Sequence, residues 1–341
     1  MRSRTTISIC RLTLLIGPFA ALLVYAMATA RPVHATFPGT NGQIAFTRLV
    51  DPVTGETHIF IANPDGTEEH ELPLPLVGAN AFWSPDGSKL VATFFTNAGL
   101  GPATFNPDGS GFTVLDVPEL PQGRDITCQA WSRDGTLLLC GVICVADPAL
   151  NGIYNIRASD GGGLTRLTVN PFPPTGNFGG GDLPGDYSPD GTQFVFVRAK
   201  PGAGPVPDRN QSGALFVENA DGTGLRQITP YGLANSHGDG FAHWSPEGKE
   251  IVFASAQGLL FVVHPDGTGV RKIPFDTGGS FSFALAPNWS PDGTSIVFNL
   301  FLQKKGQFDI YTVRSDGSQL VQVTNTPNFE DVPDWGTHPL Q

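Results

Sequence analysis

The sequence predicts an all-β chain folded into a six-bladed β-propeller, and three features carry that expectation. An aromatic turn phrase recurs six times: WSPDG at Trp83, WSRDG at Trp131, YSPDG at Tyr187, WSPEG at Trp244, WSPDG at Trp289 and a bare WG at Trp335. Successive aromatics lie 48, 56, 57, 45 and 46 residues apart, which is the length of one four-stranded blade. A second turn phrase falls between them: NPDG at Asn63 and Asn106, SDG at Ser159, ADG at Ala220, HPDG at His264 and SDG at Ser315. Short apolar runs flank both turns, so each unit reads as four antiparallel strands.

The unit from Asn288 to Thr324 shows the grammar. Asn288-Trp289-Ser290 ends a first strand, and Pro291-Asp292-Gly293 turns the chain. Pro presets φ, Asp bonds its own backbone, and Gly accepts a positive φ. TSIVFNL from Thr294 is a second strand covered on both faces, DIYTV from Asp309 a third, and LVQVT from Leu320 the outer strand. The two ends complete each other. Trp335-Gly336 is a first strand with no successor, and Gln43-Ile44-Ala45-Phe46 a second strand with no aromatic phrase before it. Their pairing closes the ring and removes an open sheet edge.

Residues 1–35 stand apart. Arg2, Arg4 and Arg11 precede the apolar run Leu12–Ala28, and small residues follow at Ala28-Thr29-Ala30 and Val33-His34-Ala35. This is the layout of a secretory signal cut after Ala30 or Ala35, with an uncleaved anchor as the alternative. The expected organisation is a signal at 1–35 and one propeller domain at 36–341. The exported chain keeps 16 of the 20 basic residues and all 31 acidic ones, a formal charge of −15. Nucleic acid and anionic lipid are poor partners for such a surface. A periplasmic or extracellular monomer with no membrane contact after cleavage is expected.

Three cysteines remain after cleavage. If Arg133-Asp134-Gly135 is a three-residue hairpin loop, Ser132 faces Thr136, and continuing that register puts Cys128 opposite Cys140. A bridge there suits an oxidising compartment and leaves Cys144 free.

Repeats of the form WSPDG-x-x-I-x-F, then I-Y-x-x-x-x-D-G, then x-x-L-T resemble the exported six-bladed propellers of the TolB family. The resemblance spans residues 41–336 and implies the fold more specifically than any activity. TolB itself carries an α/β domain ahead of its propeller. Here the first strand begins a few residues after Ala35, so that domain and a Tol–Pal role are not expected.

Long irregular loops at 169–186, 199–213 and 230–243 point to one face as the binding surface. Phe178, Asp182, Asp186, Tyr231, His237, Asp239 and His243 lie outside the repeat grammar and are its candidate residues, for a protein or peptide partner. No catalytic set stands out. There is no G-x-S-x-G elbow, and Asp65, Asp86, Asp134, Asp190, Asp221, Asp292 and Asp316 are accounted for by turn chemistry. The leading expectation is therefore a non-catalytic binding propeller without cofactor. The alternative is a metal-dependent carbohydrate-active enzyme holding one divalent ion through His237, His243 and Asp182. It resembles exported propellers that use channel histidines for polysaccharide lysis.

Overall fold

The computed structural model describes residues 39–171, 181–200, 213–234 and 241–337. The segment 1–35 expected to be a signal, and the candidates Phe178, His237 and Asp239, lie outside the described residues. The described chain forms six four-stranded antiparallel sheets arranged as blades. Blade 1 joins β24 (Glu330–Thr337) to β1 (Asn41–Asp51), β2 (Glu56–Ala62) and β3 (His70–Glu71). Blade 2 holds β4 (Gly78–Trp83), β5 (Leu90–Thr96), β6 (Gly99–Phe105) and β7 (Thr113–Val114), and blade 3 holds β8 (Arg124–Trp131), β9 (Leu137–Cys144), β10 (Gly152–Arg157) and β11 (Thr165–Arg166). Blade 4 comprises β12 (Asp182–Tyr187), β13 (Gln193–Ala199), β14 (Gly213–Asn219) and β15 (Arg226–Gln227). Blade 5 comprises β16 (Ala242–Trp244), β17 (Ile251–Ala254), β18 (Leu260–Val263) and β19 (Arg271–Lys272). Blade 6 comprises β20 (Ser282–Trp289), β21 (Ser295–Leu302), β22 (Gln307–Arg314) and β23 (Val321–Gln322). Closure follows the expected pairing, with Trp335 opposite Ile44.

The repeat phrases do the work their chemistry implies. In blade 2 the Ser84 hydroxyl donates to Asp86 Oδ1 at 2.8 Å, and the same oxygen accepts the Ser88 amide at 3.0 Å. Ser132–Asp134, Ser188–Asp190 and Ser290–Asp292 repeat that bond. The Thr that ends each x-x-L-T phrase also has a job. Thr168, Thr229 and Thr324 are buried, and each hydroxyl accepts the amide that opens its blade's third-strand ladder, from Ile153, Leu215 and Ile310. A hydroxyl thus replaces the carbonyl that a two-residue outer strand cannot supply.

Trp83, Trp131, Tyr187, Trp244, Trp289 and Trp335 are all buried, packing between blades among Val, Ile, Leu and Phe from the middle strands.

Cys128 lies opposite Cys140 and is joined to it by a disulfide, while Cys144 is buried and free. The register that brings the two together differs from the expected one. Ser132 pairs with Leu137 instead of Thr136, because the turn holds one residue more. A bulge between Cys128 and Ala130 then absorbs the extra residue. Two opposite departures cancel at the cysteines.

Candidate functional site

The bulge in β8 belongs to a pattern. In blades 1, 2, 3, 4 and 6 the inner strand gains one residue over its neighbour just ahead of the repeat aromatic. At the third residue before the aromatic, Asn80, Ala286 and Val332 have φ of 58°, 45° and 45°. Such values cost on the order of 1–3 kcal/mol each for a side-chain-bearing residue, and most for the β-branched Val332. In blade 4 the bulge includes Gly185, where a Cβ would stand 2.5 Å from the Ala242 carbonyl oxygen of the next inner strand. Bulges re-aim the side chain that follows them. Here that residue is the one immediately before the aromatic, and it faces the central channel.

Around the ring these residues are Phe82, Ala130, Asp186, His243, Asn288 and Asp334, and together they line a cavity of about 40 Å³. Four consecutive blades therefore supply polar groups and two supply apolar ones. Pro85, from the Ser84–Gly87 turn, also lines this cavity, so it lies at the turn end of the channel. The Asp334 carboxylate accepts the Trp83 amide at 2.6 Å and the Asn288 side-chain amide. Burial pushes its carboxyl up to about 6, although the Trp83 amide and the nearby His243 favour the anion. Asp186 Oδ2 accepts the Trp244 amide at 3.3 Å and stands 3.8 Å from His243 Nδ1. His243 is buried, stacked at 6.3 Å on Phe82 and edge-on to Phe241. Gln129 lines the same cavity at 7% exposure, and its Oε1 has no hydrogen-bond partner.

Blades 1 and 4, opposite each other in the ring, share a second arrangement. Five residues before the aromatic, Glu330 and Asp182 each meet an arginine of the neighbouring strand, Arg48 and Arg198. Both guanidiniums lie over paired phenylalanines, Phe46 with Phe60 and Phe196 with Phe216. Asp182 is thus a buried ion-pair partner, held by two contacts of 2.7 Å from Arg198, and not an open loop residue. Tyr231 is half-buried at the end of the same cluster, with the Lys200 ammonium 3.9 Å from its ring centroid. Glu218, on β14, is buried with Oε2 unpartnered, and burial pushes its carboxyl up to about 7 against the lowering effect of Arg198.

The structure therefore sorts the sequence candidates. Asp186 and His243 come together, but on strands at the turn end of the channel instead of in the irregular loops. Asp182 and Tyr231 belong to the Arg198 cluster. The three residues of the metal alternative are not assembled among the described ones, since Asp182 is bonded to Arg198, His243 faces Asp186, and His237 lies outside them. No group of three or more His, Cys, Asp or Glu among the described residues is arranged to hold a metal. Asn288, Asp334 and Gln129 were missed. The available signal for Asn288 and Asp334 was the residue before each repeat aromatic, which reads Phe, Ala, Asp, His, Asn, Asp around the ring.

A second cleft, of about 450 Å³, opens between turns on the same side of the molecule. Arg133, Pro189, Trp244, Pro246, Glu247 and Pro265 line it.

TolB from Acinetobacter baumannii superposes on 92% of this chain and 70% of its own, with a TM-score of 0.63 at 18% identity. The fold is that of a TolB-like six-bladed β-propeller. A putative TolB from Agrobacterium tumefaciens matches 86% of this chain and 99% of its own at a TM-score of 0.54 and 16% identity. A chain of a nidogen/laminin complex does so over 86% and 98% at 0.58 and 12% identity. In sequence, an uncharacterized protein of Agrobacterium fabrum is 29% identical over 173 residues, so the chain spans about half the length of the curated relative it matches. No family model matches.

Proposed function

We propose that this chain is an exported, non-catalytic propeller that grips a protein or peptide at the turn end of its central channel. One observation carries the reading. Asp186, His243, Asn288 and Asp334 occupy the same register position on four consecutive inner strands, where Asp334 and Asp186 also accept the amides of Trp83 and Trp244. The same position is Phe82 and Ala130 in the other two blades, so an apolar residue is compatible with the repeat. Strained backbone at Ala286 and Val332 lies two residues before Asn288 and Asp334, and such strain gathers at binding and switch sites. The cleft beside Trp244 on the same side offers apolar proline surface for the rest of a ligand.

Export rests on the charged and apolar layout of residues 1–35 and on the TolB-like fold. No helix among the described residues is long and apolar enough to cross a membrane. The acidic balance of the exported chain favours a basic partner.

The test is to pan a random peptide library against the purified chain and against an Asp186→Asn variant whose melting behaviour is checked beside it. Peptides retained by the first and lost from the second are expected. Equal enrichment on both proteins would place binding elsewhere.

A further inference from the structure

The two channel acids, buried Asp334 and half-buried Asp186, differ from Glu330 and Asp182 in how their charge is met. Glu330 and Asp182, at the opposite end of the inner strands, are each neutralised by an arginine at 2.5–2.7 Å. Asp186 and Asp334 share one small cavity that no lysine or arginine lines. The basic group that lines the cavity with them is His243, 3.8 Å from Asp186 and short of hydrogen-bond contact. A buried carboxylate such as Asp334 is costly when no cation is bonded to it, and proteins normally pair such groups.

Gln129 is an independent second sign. Its side chain is more than nine-tenths buried beside the cavity, and its Oε1 is an acceptor with no donor. Buried polar atoms of this kind are rare, and each calls for a missing partner. The chamber thus presents acceptors from Asp186, Asp334 and Gln129. Phe82, Trp83, Trp131 and Trp335 supply aromatic surface to the rest of the wall, beside His243, Asn288, Ala130 and Pro85. A group that suits both kinds of wall must donate hydrogen bonds and also favour π faces, which describes an organic ammonium. A volume of about 40 Å³ exceeds the roughly 10–15 Å³ that one water needs and suits a single compact head group.

We propose that this cavity is the recognition pocket for a primary ammonium group carried by the ligand, either a lysine ε-amine or a free peptide amino terminus. The proposal rests on the reading that the ligand engages the turn end of the channel. An ammonium donates to Asp186, Asp334 and Gln129 and supplies the positive charge that the chain itself withholds there. The rings of Trp83 and Trp335 favour its alkyl stem over a bare ion.

The probe is n-butylammonium, titrated into the purified chain and followed by tryptophan fluorescence and by calorimetry, with n-butanol as the uncharged control. Saturable binding of the amine, absence of binding by the alcohol, and at least tenfold weakening in Asp186→Asn are expected. Because an Asp334 substitution disturbs the Trp83 amide, Gln129→Met is the second variant. It removes the unpartnered Oε1 acceptor at nearly constant volume and weakens amine binding while the fold, checked by melting temperature, is kept. Binding of calcium or manganese chloride in place of the amine overturns the proposal, as does amine binding indifferent to both variants. Peptides from the library panning separate the two sources. Acetylation of lysines alone, or of the α-amine alone, should remove affinity according to which group enters. A peptide that depends on Asp186 but tolerates both acetylations refutes the ammonium pocket and leaves the channel reading standing.

Discussion

Asp334, at the C-terminal end of the chain, accepts the backbone amide of Trp83 at 2.6 Å across the junction of blades 1 and 2. The bond ties a strand contributed by the last residues of the chain to a blade built near its start. Closure of the ring and the chemistry of the channel are therefore one structural problem, solved by the same side chain.

Deleting residues 331–341 should accordingly destabilise the whole domain. The truncation removes most of β24, the Ile44–Trp335 pairing and the Asp334 bond to Trp83, leaving β1 as an open edge. A large fall in melting temperature, with aggregation, is the expected result of differential scanning calorimetry. A change of a degree or two would show that β24 is dispensable.

The Asp182–Arg198 pair gives a sharper test, because a ligand residue and a structural ion pair respond differently. Asp182→Ala should cost about 3–5 kcal/mol in denaturant unfolding, since it strands a buried guanidinium. Replacing both partners with apolar residues should recover much of that loss. If Asp182→Ala unfolds like the parent chain, the buried pair described here contributes nothing.

The pH dependence follows from carboxyls of opposite behaviour. Glu218 and Asp334 have carboxyls raised by burial, to about 7 and about 6, so the folded chain holds their protons after the unfolded chain has released them. Stability should then decline as pH rises from about 4 to about 7. Asp86, Asp134, Asp190 and Asp292 are held below the usual range: burial opposes the anion, but the turn hydroxyls and amides outweigh it. Their contribution is present above the ordinary aspartate value near 3.9 and lost as pH falls below it. A stability maximum near pH 4–5 is expected in urea titrations, and Glu218→Gln should flatten the decline above it. An unaltered slope in that variant would remove Glu218 from the account.

Truncating a repeat aromatic should act on the fold. Trp244→Ala is expected to cost about 3–5 kcal/mol, as for other large core truncations, whereas Asp86→Ala should cost about 1 kcal/mol through its turn bonds. Parallel unfolding curves for the two variants would decide whether Trp244 is core or exposed platform.

Much of the architecture was legible in the chain because it is local and repeated. Each SPDG turn is built by bonds within five residues, such as Ser84 to Asp86 and Ser88 to Asp86, so its residues announce it. The blade count follows from the number of aromatics, and the closure from the mismatch between the two ends. Asp186 and His243 also stood out by composition, although their placement in loops was wrong. Strand β12 begins at Asp182 and strand β16 includes His243, and neither carries the apolar alternation that marks a strand.

What the tertiary structure alone decided is the meeting of residues that are far apart in sequence. Asn288 and Asp334 are 46 residues apart, and Trp83 and Asp334 are 251 apart. No local pattern links them until the ring closes. The bulges ahead of five of the six aromatics were equally invisible, because a one-residue slip shows itself only as an altered register between two strands. The sequence by itself determined a closed, six-fold set of turns and strands, because those depend on neighbours along the chain. Which face of each inner strand met the channel, and hence that Asp186, His243, Asn288 and Asp334 share one cavity, depended on packing between blades.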